Sequence, residues 1–159
     1  MSKDKITVTP AIRLLRNFNV DFIPYEYDYE EKGGTKQTAD ELNVEEHNVI
    51  KTLILDADGE IICMLMHGDK EVSLKELARI MGVKKVEPCD AKIAMNATGY
   101  MFGGTSPFGT KKNLPVYVQV TIFDLERIYI NGGKRGLILQ LSPDIIKTVL
   151  NPELVDVAI

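Results

Sequence analysis

The segment Thr98–Lys112, T-G-Y-M-F-G-G-T-S-P-F-G-T-K-K, carries the strongest chemical signal in the chain. Gly99, Gly103, Gly104 and Gly109 surround Ser106 and Pro107. Neither a helix nor a central strand tolerates that density of glycine and proline, so the segment reads as a shaped loop. Such a backbone approaches another molecule closely and leaves N–H groups free to donate to an anion or a carbonyl oxygen. A second loop, Asn131-Gly132-Gly133-Lys134-Arg135-Gly136, repeats the logic with two cations added. Two loops of this kind point to a site built from main chain rather than from acids and metals.

Lys51 is the first side-chain candidate. It lies in V-I-K-T-L-I-L, and a lysine inside a buried strand is rare unless it has a task or a partner. Strand geometry places Val49, Lys51 and Leu53 on one face. If that face lines a cleft, the ammonium can hold a carbonyl or phosphate oxygen. The competing reading is an edge-strand lysine that blunts aggregation.

Ser106 has the look of a nucleophile, but it stands outside a G-x-S-x-G elbow, and the chain's two histidines, His47 and His67, have no spacing that makes either its base. The better expectation is that amides from Gly103 to Ser106 form an oxyanion cradle, against the plainer reading of a tight structural turn. Tyr25, Tyr27 and Tyr29 alternate and so share a face, as an aromatic packing surface or, for Tyr27, as the border of a pocket. Asp69 with Glu71, and Asp56 with Asp58, sit by turns and a helix start, where carboxylates act as caps or solvated charges.

The elements that position these residues follow from periodicity and punctuation. Thr9-Pro10 opens a helix, with Thr9 as cap and Ile12, Leu15 and Phe18 at helical spacing. Phe22 to Tyr29 reads as a strand, and Thr38 to Leu42 as a short helix capped by Thr38. Val49 to Asp56 and Ile61 to Met66 read as a hairpin turning at Asp58-Gly59. Ser73 with Glu76 forms a capping box for a helix that Gly82 ends. Val83 to Val86 reads as a strand, and Asp90 to Met95 as one or two helical turns. Leu114 to Val120 follows as a strand that Pro115 places near a sheet edge, then strands at Arg127 to Ile130 and Leu137 to Leu141. Ser142-Pro143 caps a last helix. Strands outnumber helices and several are hairpin-linked, so the fold class is α+β with a mixed, curved, barrel-like sheet surrounded by helices.

At 159 residues and 45% hydrophobic content, the chain suits one folded domain rather than disorder. No apolar run reaches the roughly 18–20 residues that cross a bilayer, and the N-terminus lacks the apolar core of a secretion signal, so a cytoplasmic location is expected. The net charge of −4 argues against non-specific coating of nucleic acid, although Lys84-Lys85, Lys111-Lys112 and Lys134-Arg135 supply a local basic patch if the fold gathers them. Cys63, inside I-I-C-M-L-M, reads as a small buried hydrophobe, while Cys89 follows Pro88 in a turn. Two cysteines without close spacing support neither a disulfide framework nor a zinc site.

Four motifs together resemble one family. T-P-A-I-R-L-L at 9–15, V-I-K-T-L at 49–53, the glycine loop at 98–112 and I-Y-I-N-G-G-K-R-G-L at 128–137 occur in the order and spacing of the YbaK/EbsC-type aminoacyl-tRNA deacylases, kin to the editing domain of bacterial prolyl-tRNA synthetases. The resemblance runs from about Thr9 to the C-terminus. It implies a single deacylase domain over 1–159, with 1–8 a flexible extension. It also implies hydrolysis of the ester that joins an amino acid to the tRNA 3′ end, with Cys-tRNA(Pro) the substrate favoured in the YbaK branch. Lys51, Gly103, Gly104 and Ser106 map onto the catalytic positions. Tyr27, Thr105, Pro107, Asn131, Gly132, Gly133 and Lys134 map onto substrate-binding positions. The implied partners are the 3′ acceptor end of an aminoacyl-tRNA and, as a candidate, prolyl-tRNA synthetase, with no membrane, no metal and no organic cofactor. Asn131 stands where YbaK proteins commonly have serine, Ile138 where some have aspartate, and Tyr25 and Tyr29 where some have histidine. These departures bear on substrate choice more than on fold.

Deacylation needs no protein nucleophile if the substrate brings one. A cysteine thiol on the aminoacyl group can attack its own ester carbonyl, leaving the protein to orient the ester and stabilise the oxyanion. Water or a ribose hydroxyl attacking in the same cradle is the alternative, and Ala-tRNA(Pro) the alternative substrate. A reading from another class is a non-catalytic module that holds an aminoacyl or nucleotide group beside a synthetase.

Overall fold

The structure, a computed structural model, describes residues 7–159. The expected N-terminal extension therefore lies, up to residue 6, outside the described residues. In chain order the described elements are α1 (Pro10–Asn17), β1 (Ile23–Glu26), α2 (Gly34–Leu42), β2 (Val49–Ala57), β3 (Glu60–His67), α3 (Leu74–Met81), β4 (Val86–Pro88), α4 (Ala91–Thr98), β5 (Val116–Gln119), β6 (Ile128–Asn131), β7 (Leu137–Leu141), α5 (Asp144–Leu150) and β8 (Glu153–Val155). The eight strands make one mixed sheet in the order β1-β7-β6-β2-β3-β5-β8, with β4 pairing β2. The expected α+β class with a mixed sheet is what the chain adopts.

Period-2 alternation along β3 divides the core. Cys63 and Leu65 join a cluster that buries Ala11, Ile12 and Leu15 of α1 and Ile145 and Ile146 of α5. Ile62, Met64 and Met66 join one that buries Leu77 and Ala78 of α3. A third, smaller cluster gathers Ala39 of α2, Val49, Tyr129 and Ile138. Complete burial pushes the Cys63 thiol up to about 12, so it stays protonated and acts as a small hydrophobe.

Local signals set most element ends. Thr9 accepts from the Ile12 N–H at 3.2 Å, and the Asp58-Gly59 turn has φ of 50° and 96°, as a tight hairpin requires. Ser73 accepts from the Glu76 N–H at 3.2 Å, but the reciprocal half of the capping box is missing. The Ser73 N–H donates to the Val157 carbonyl, and the Glu76 carboxylate holds Arg79 at 2.7 and 2.8 Å.

Tertiary contacts moved the other boundaries. Helix α2 begins at Gly34 rather than Thr38, because Gln37 ties the incoming loop to the helix by donating to the Asp28 carbonyl at 2.9 Å and accepting from the Glu30 N–H at 3.0 Å. β1 stops at Glu26, where its partner β7 begins at Leu137. Val83 closes α3 through a bond to the Ala78 carbonyl, so β4 starts only at Val86. Pro115 does not mark an edge, since β5 lies between β3 and β8 and the proline sits just before the strand, where its missing N–H is not needed.

Thr9 has a second role: its hydroxyl donates to the Gly132 carbonyl at 2.5 Å, joining α1 to the second glycine loop. Thr9→Ala removes the cap and leaves a buried carbonyl unpaired, so stability should fall by about 1–2 kcal/mol. Thr9→Ser should retain most of it. Urea denaturation of the three proteins measures this, and an alanine variant with the wild-type midpoint refutes the double role.

Candidate active site

A break in the sheet creates the site. β2 pairs β3 along its length, but its other edge is shared: β6 covers only Val49 and Ile50, and β4 only Leu55 to Ala57. Lys51, Thr52 and Leu53 therefore have a partner strand on one side only. On the face that Lys51 shares with Val49 and Leu55, α2 covers the first end and α3 the second. The uncovered stretch between them is a cleft of about 410 Å³.

Lys51, Gly103, Thr105, Tyr27 and Asn131 line this cleft, joined by Tyr29, Thr38, Thr52, Leu53, Phe102 and Ile138. The Lys51 side chain is 20% exposed, and its ammonium stands 3.4 Å from the Glu71 carboxylate, which is itself 80% exposed. Such a solvated pair holds the ammonium only weakly and leaves it donors for a ligand. The Tyr27 hydroxyl lies 2.6 Å from the Thr38 hydroxyl, and burial raises its pKa, so at neutral pH it is a neutral phenol. Asp, Glu, His, Cys and Ser are absent from the described residues that line the cleft.

The glycine loop is pinned at both ends. Tyr100 is buried, which pushes its hydroxyl up to about 12, and that hydroxyl donates to the Phe108 carbonyl at 2.6 Å; the Phe108 ring is fully buried. Between these anchors Phe102 stands 73% exposed at the cleft mouth. The loop's expected cradle residues are divided by this arrangement. Gly103 lines the cleft with φ of 93°, and its N–H has no acceptor among the described residues. Gly104 is buried, and a Cβ there would lie 2.6 Å from the Arg135 nitrogen. Ser106 is fully buried and accepts from the Phe108 N–H at 3.1 Å, while Pro107 is buried beside it. Neither residue is on the cleft wall.

The second loop likewise supports more than it lines. Asn131 reaches the cleft. Gly132 packs on Leu137 and Leu139, Gly133 packs on Tyr100, and Lys134 turns outward to Glu26 at 3.3 Å. Of the other basic pairs, Lys85 is held by Glu87 at 3.3 Å, and Lys111 and Lys112 are exposed.

Gly34, Thr35 and Thr38 of α2 were missed as cleft residues. Their signal was the run of small residues at i, i+1 and i+4, which shares one helical face. The tyrosines split their tasks: Tyr25 donates to the Gln140 side chain at 2.9 Å, Tyr27 and Tyr29 face the cleft. Asp56 and Asp58 cap turns by accepting from the Gly59 and Lys84 N–H groups, both at 2.7 Å. Among the described residues no group of three His, Cys, Asp or Glu gathers as metal ligands, and no helix is long and apolar enough to cross a membrane.

The pattern described as the aminoacyl-tRNA editing domain matches residues 30–148, a span that contains Lys51 and both glycine loops. The chain belongs to the aminoacyl-tRNA editing domain family. As an editing domain it is an aminoacyl-tRNA hydrolase of the YbaK/EbsC type. It is 31% identical over 152 residues to EbsC of Enterococcus faecalis, named as a candidate Cys-tRNA(Pro)/Cys-tRNA(Cys) deacylase, covering 94% of this chain and 92% of that protein. It is 29% identical over 101 residues to a proline–tRNA ligase of Desulfotalea psychrophila, of which the match spans only 17%. A crystal structure described as a candidate trans-editing enzyme for prolyl-tRNA synthetase superposes with a TM-score of 0.81 over 96% of this chain and 99% of that one, at 16% identity, a likeness of fold.

The two histidines of this editing domain lie off the cleft. Their rings stack at 3.7 Å. His67 is buried, donates from Nδ1 to the His47 carbonyl at 2.8 Å, and must therefore accept at Nε2 from the Thr121 hydroxyl, also at 2.8 Å. Burial lowers its pKa below the ordinary value of 6.5. The unfolded chain then binds a proton near pH 6.5 that the folded chain refuses, so stability falls as pH drops below about 6.5. Urea midpoints between pH 7.5 and 5 should decline, and a flat profile over that window contradicts this account.

Proposed function

We propose that the protein removes cysteine from mischarged Cys-tRNA(Pro) in trans, with the substrate thiol as nucleophile and the whole chain, 1–159, acting as one deacylase domain. The observation that carries the reading is the makeup of the cleft. Among the described residues it offers the Lys51 ammonium and the unpartnered Gly103 N–H as donors, and no carboxylate, imidazole, thiol or serine hydroxyl in its lining to attack or to activate water. Its threonine hydroxyls have no base in the lining to activate them, and such a cleft suits a substrate that supplies its own nucleophile.

In this mechanism Lys51 and the Gly103 amide hold the ester carbonyl oxygen. The cysteinyl sulfur bonds to the carbonyl carbon, the carbon–oxygen bond to the ribose breaks, and the thiol proton passes to the ribose oxygen. Water then opens the resulting thiolactone to free cysteine. Thr38 and Tyr27 bound the aminoacyl end, Thr105 and Asn131 add polar contacts, and Phe102 at the mouth offers a face for the terminal base. Gly104, Ser106, Pro107, Gly132 and Gly133 serve by holding the two loops in register, and Lys134 by its place at the exposed rim. The EbsC name and the proline–tRNA ligase matches support this substrate and prolyl-tRNA synthetase as a partner.

Deacylation rates on Cys-tRNA(Pro), Ala-tRNA(Pro) and Pro-tRNA(Pro), with and without the synthetase, test the proposal. Selective release of cysteine is the expected result. Faster release of alanine replaces the substrate and the nucleophile, and binding without turnover makes the chain an aminoacyl-binding module.

A further inference from the structure

The first glycine loop makes one charged contact that the mechanism above does not use. Arg135, half-buried in the second glycine loop, donates from Nε to the Phe102 carbonyl at 2.7 Å, and its guanidinium lies over the Tyr29 ring, 5.0 Å from the centroid. Tyr29 in turn abuts Gly103 so closely that its hydroxyl occupies the space a Cβ would take. Behind them the Gly104 backbone packs on the Lys134–Arg135 peptide, and the Tyr27 N–H donates to the Gly136 carbonyl at 2.9 Å. Three chain segments thus interlock around one peptide unit, Phe102–Gly103.

That peptide unit is trans, so its carbonyl and its N–H point in opposite directions. Arg135 holds the carbonyl, and the Gly103 N–H is left directed away from it, without an acceptor among the described residues, at a glycine that lines the cleft. A glycine peptide turns over easily because no Cβ resists it. A cationic donor on the carbonyl both fixes the plane and polarises the amide, which strengthens the N–H as a donor.

We infer that Arg135 is a positioning residue: clamped on the Phe102 carbonyl and stacked on Tyr29, it sets the Phe102–Gly103 peptide so that the Gly103 N–H faces the developing oxyanion. The inference rests on the deacylase reading. Arg135 touches no reacting atom, and its effect travels through one peptide group.

The test compares wild type, Arg135→Ala and Arg135→Lys in steady-state deacylation of the best charged tRNA of the panel. Melting temperatures and added guanidinium ion are measured alongside. Arg135→Ala should lower kcat by roughly 10–100-fold with KM within about twofold of wild type, because a misdirected donor weakens the transition state and leaves ground-state binding alone. Guanidinium should restore part of the rate. Arg135→Lys, which keeps the charge but loses the planar fork, should fall nearly as far. A raised KM with kcat intact, which lysine avoids and which comes with a shallower salt dependence than wild type, overturns the inference and makes Arg135 a phosphate contact. A loss of kcat that guanidinium does not restore and that tracks a lower melting temperature also overturns it, leaving a packing role. Wild type silent on every charged tRNA removes the deacylase reading itself, which the first two outcomes leave standing.

Discussion

Lys51→Ala is expected to lower deacylation turnover by roughly 100- to 1,000-fold, the cost of removing one donor from an oxyanion site. The ammonium belongs to the stretch of β2 that has a neighbour on one side only, so the lesion is local: the residue paired with Lys51 on β3 is Met66, and the lost ion pair is the solvated one to Glu71. Stability should change by less than about 1 kcal/mol, the usual worth of an exposed pair. KM should rise only modestly if the lysine acts on the transition state more than on bound substrate. Lys51→Arg keeps the charge but fills more of the cleft and should recover only part of the rate. Single-turnover rates with excess enzyme measure the effect free of product release. An alanine variant that binds charged tRNA more weakly but turns it over at the wild-type rate places Lys51 in binding alone.

Gly104→Ala is the second large effect, and it strikes the support beneath the cleft. The atoms nearest the added methyl are the Arg135 nitrogen at 2.6 Å and the Lys134 carbonyl carbon at 2.7 Å, both main chain. A flexible side chain could swing aside, but here one glycine loop must move relative to the other. Overpacking of this kind costs about 1–3 kcal/mol. The same displacement shifts the Phe102–Gly103 peptide, and about 1 Å of misplacement at a reacting centre is worth roughly 100-fold in rate. The variant should therefore lose turnover out of proportion to its lost stability. Parallel measurement of melting temperature and kcat checks this, and wild-type values of both show that the two loops are not in register through Gly104.

The sequence alone determined what depends on local chemistry. Glycine and proline density marked the Thr98–Lys112 loop, the Asp58-Gly59 turn was legible because few residues accept positive φ in succession, and Thr9 and Ser73 cap helices by bonds that span three residues. Lys51 stood out because apolar neighbours flank it on both sides. The four motifs in order carried the family. What only the tertiary structure decided depends on pairing between distant segments. The cleft exists because β6 and β4, far apart in the chain, share one edge of β2 and leave Lys51 to Leu53 open between them. Pattern along a strand shows which face is apolar but not where a neighbour stops. The same limit hid α2 as a cleft wall, since its early start is owed to Gln37 reaching back to the loop, and hid the burial of Ser106, whose hydroxyl is spent on its own turn. It also hid Arg135, which in sequence is one cation among several. Only the approach of two glycine loops brings its guanidinium to a carbonyl thirty-three positions away, and that closure is a property of the folded chain.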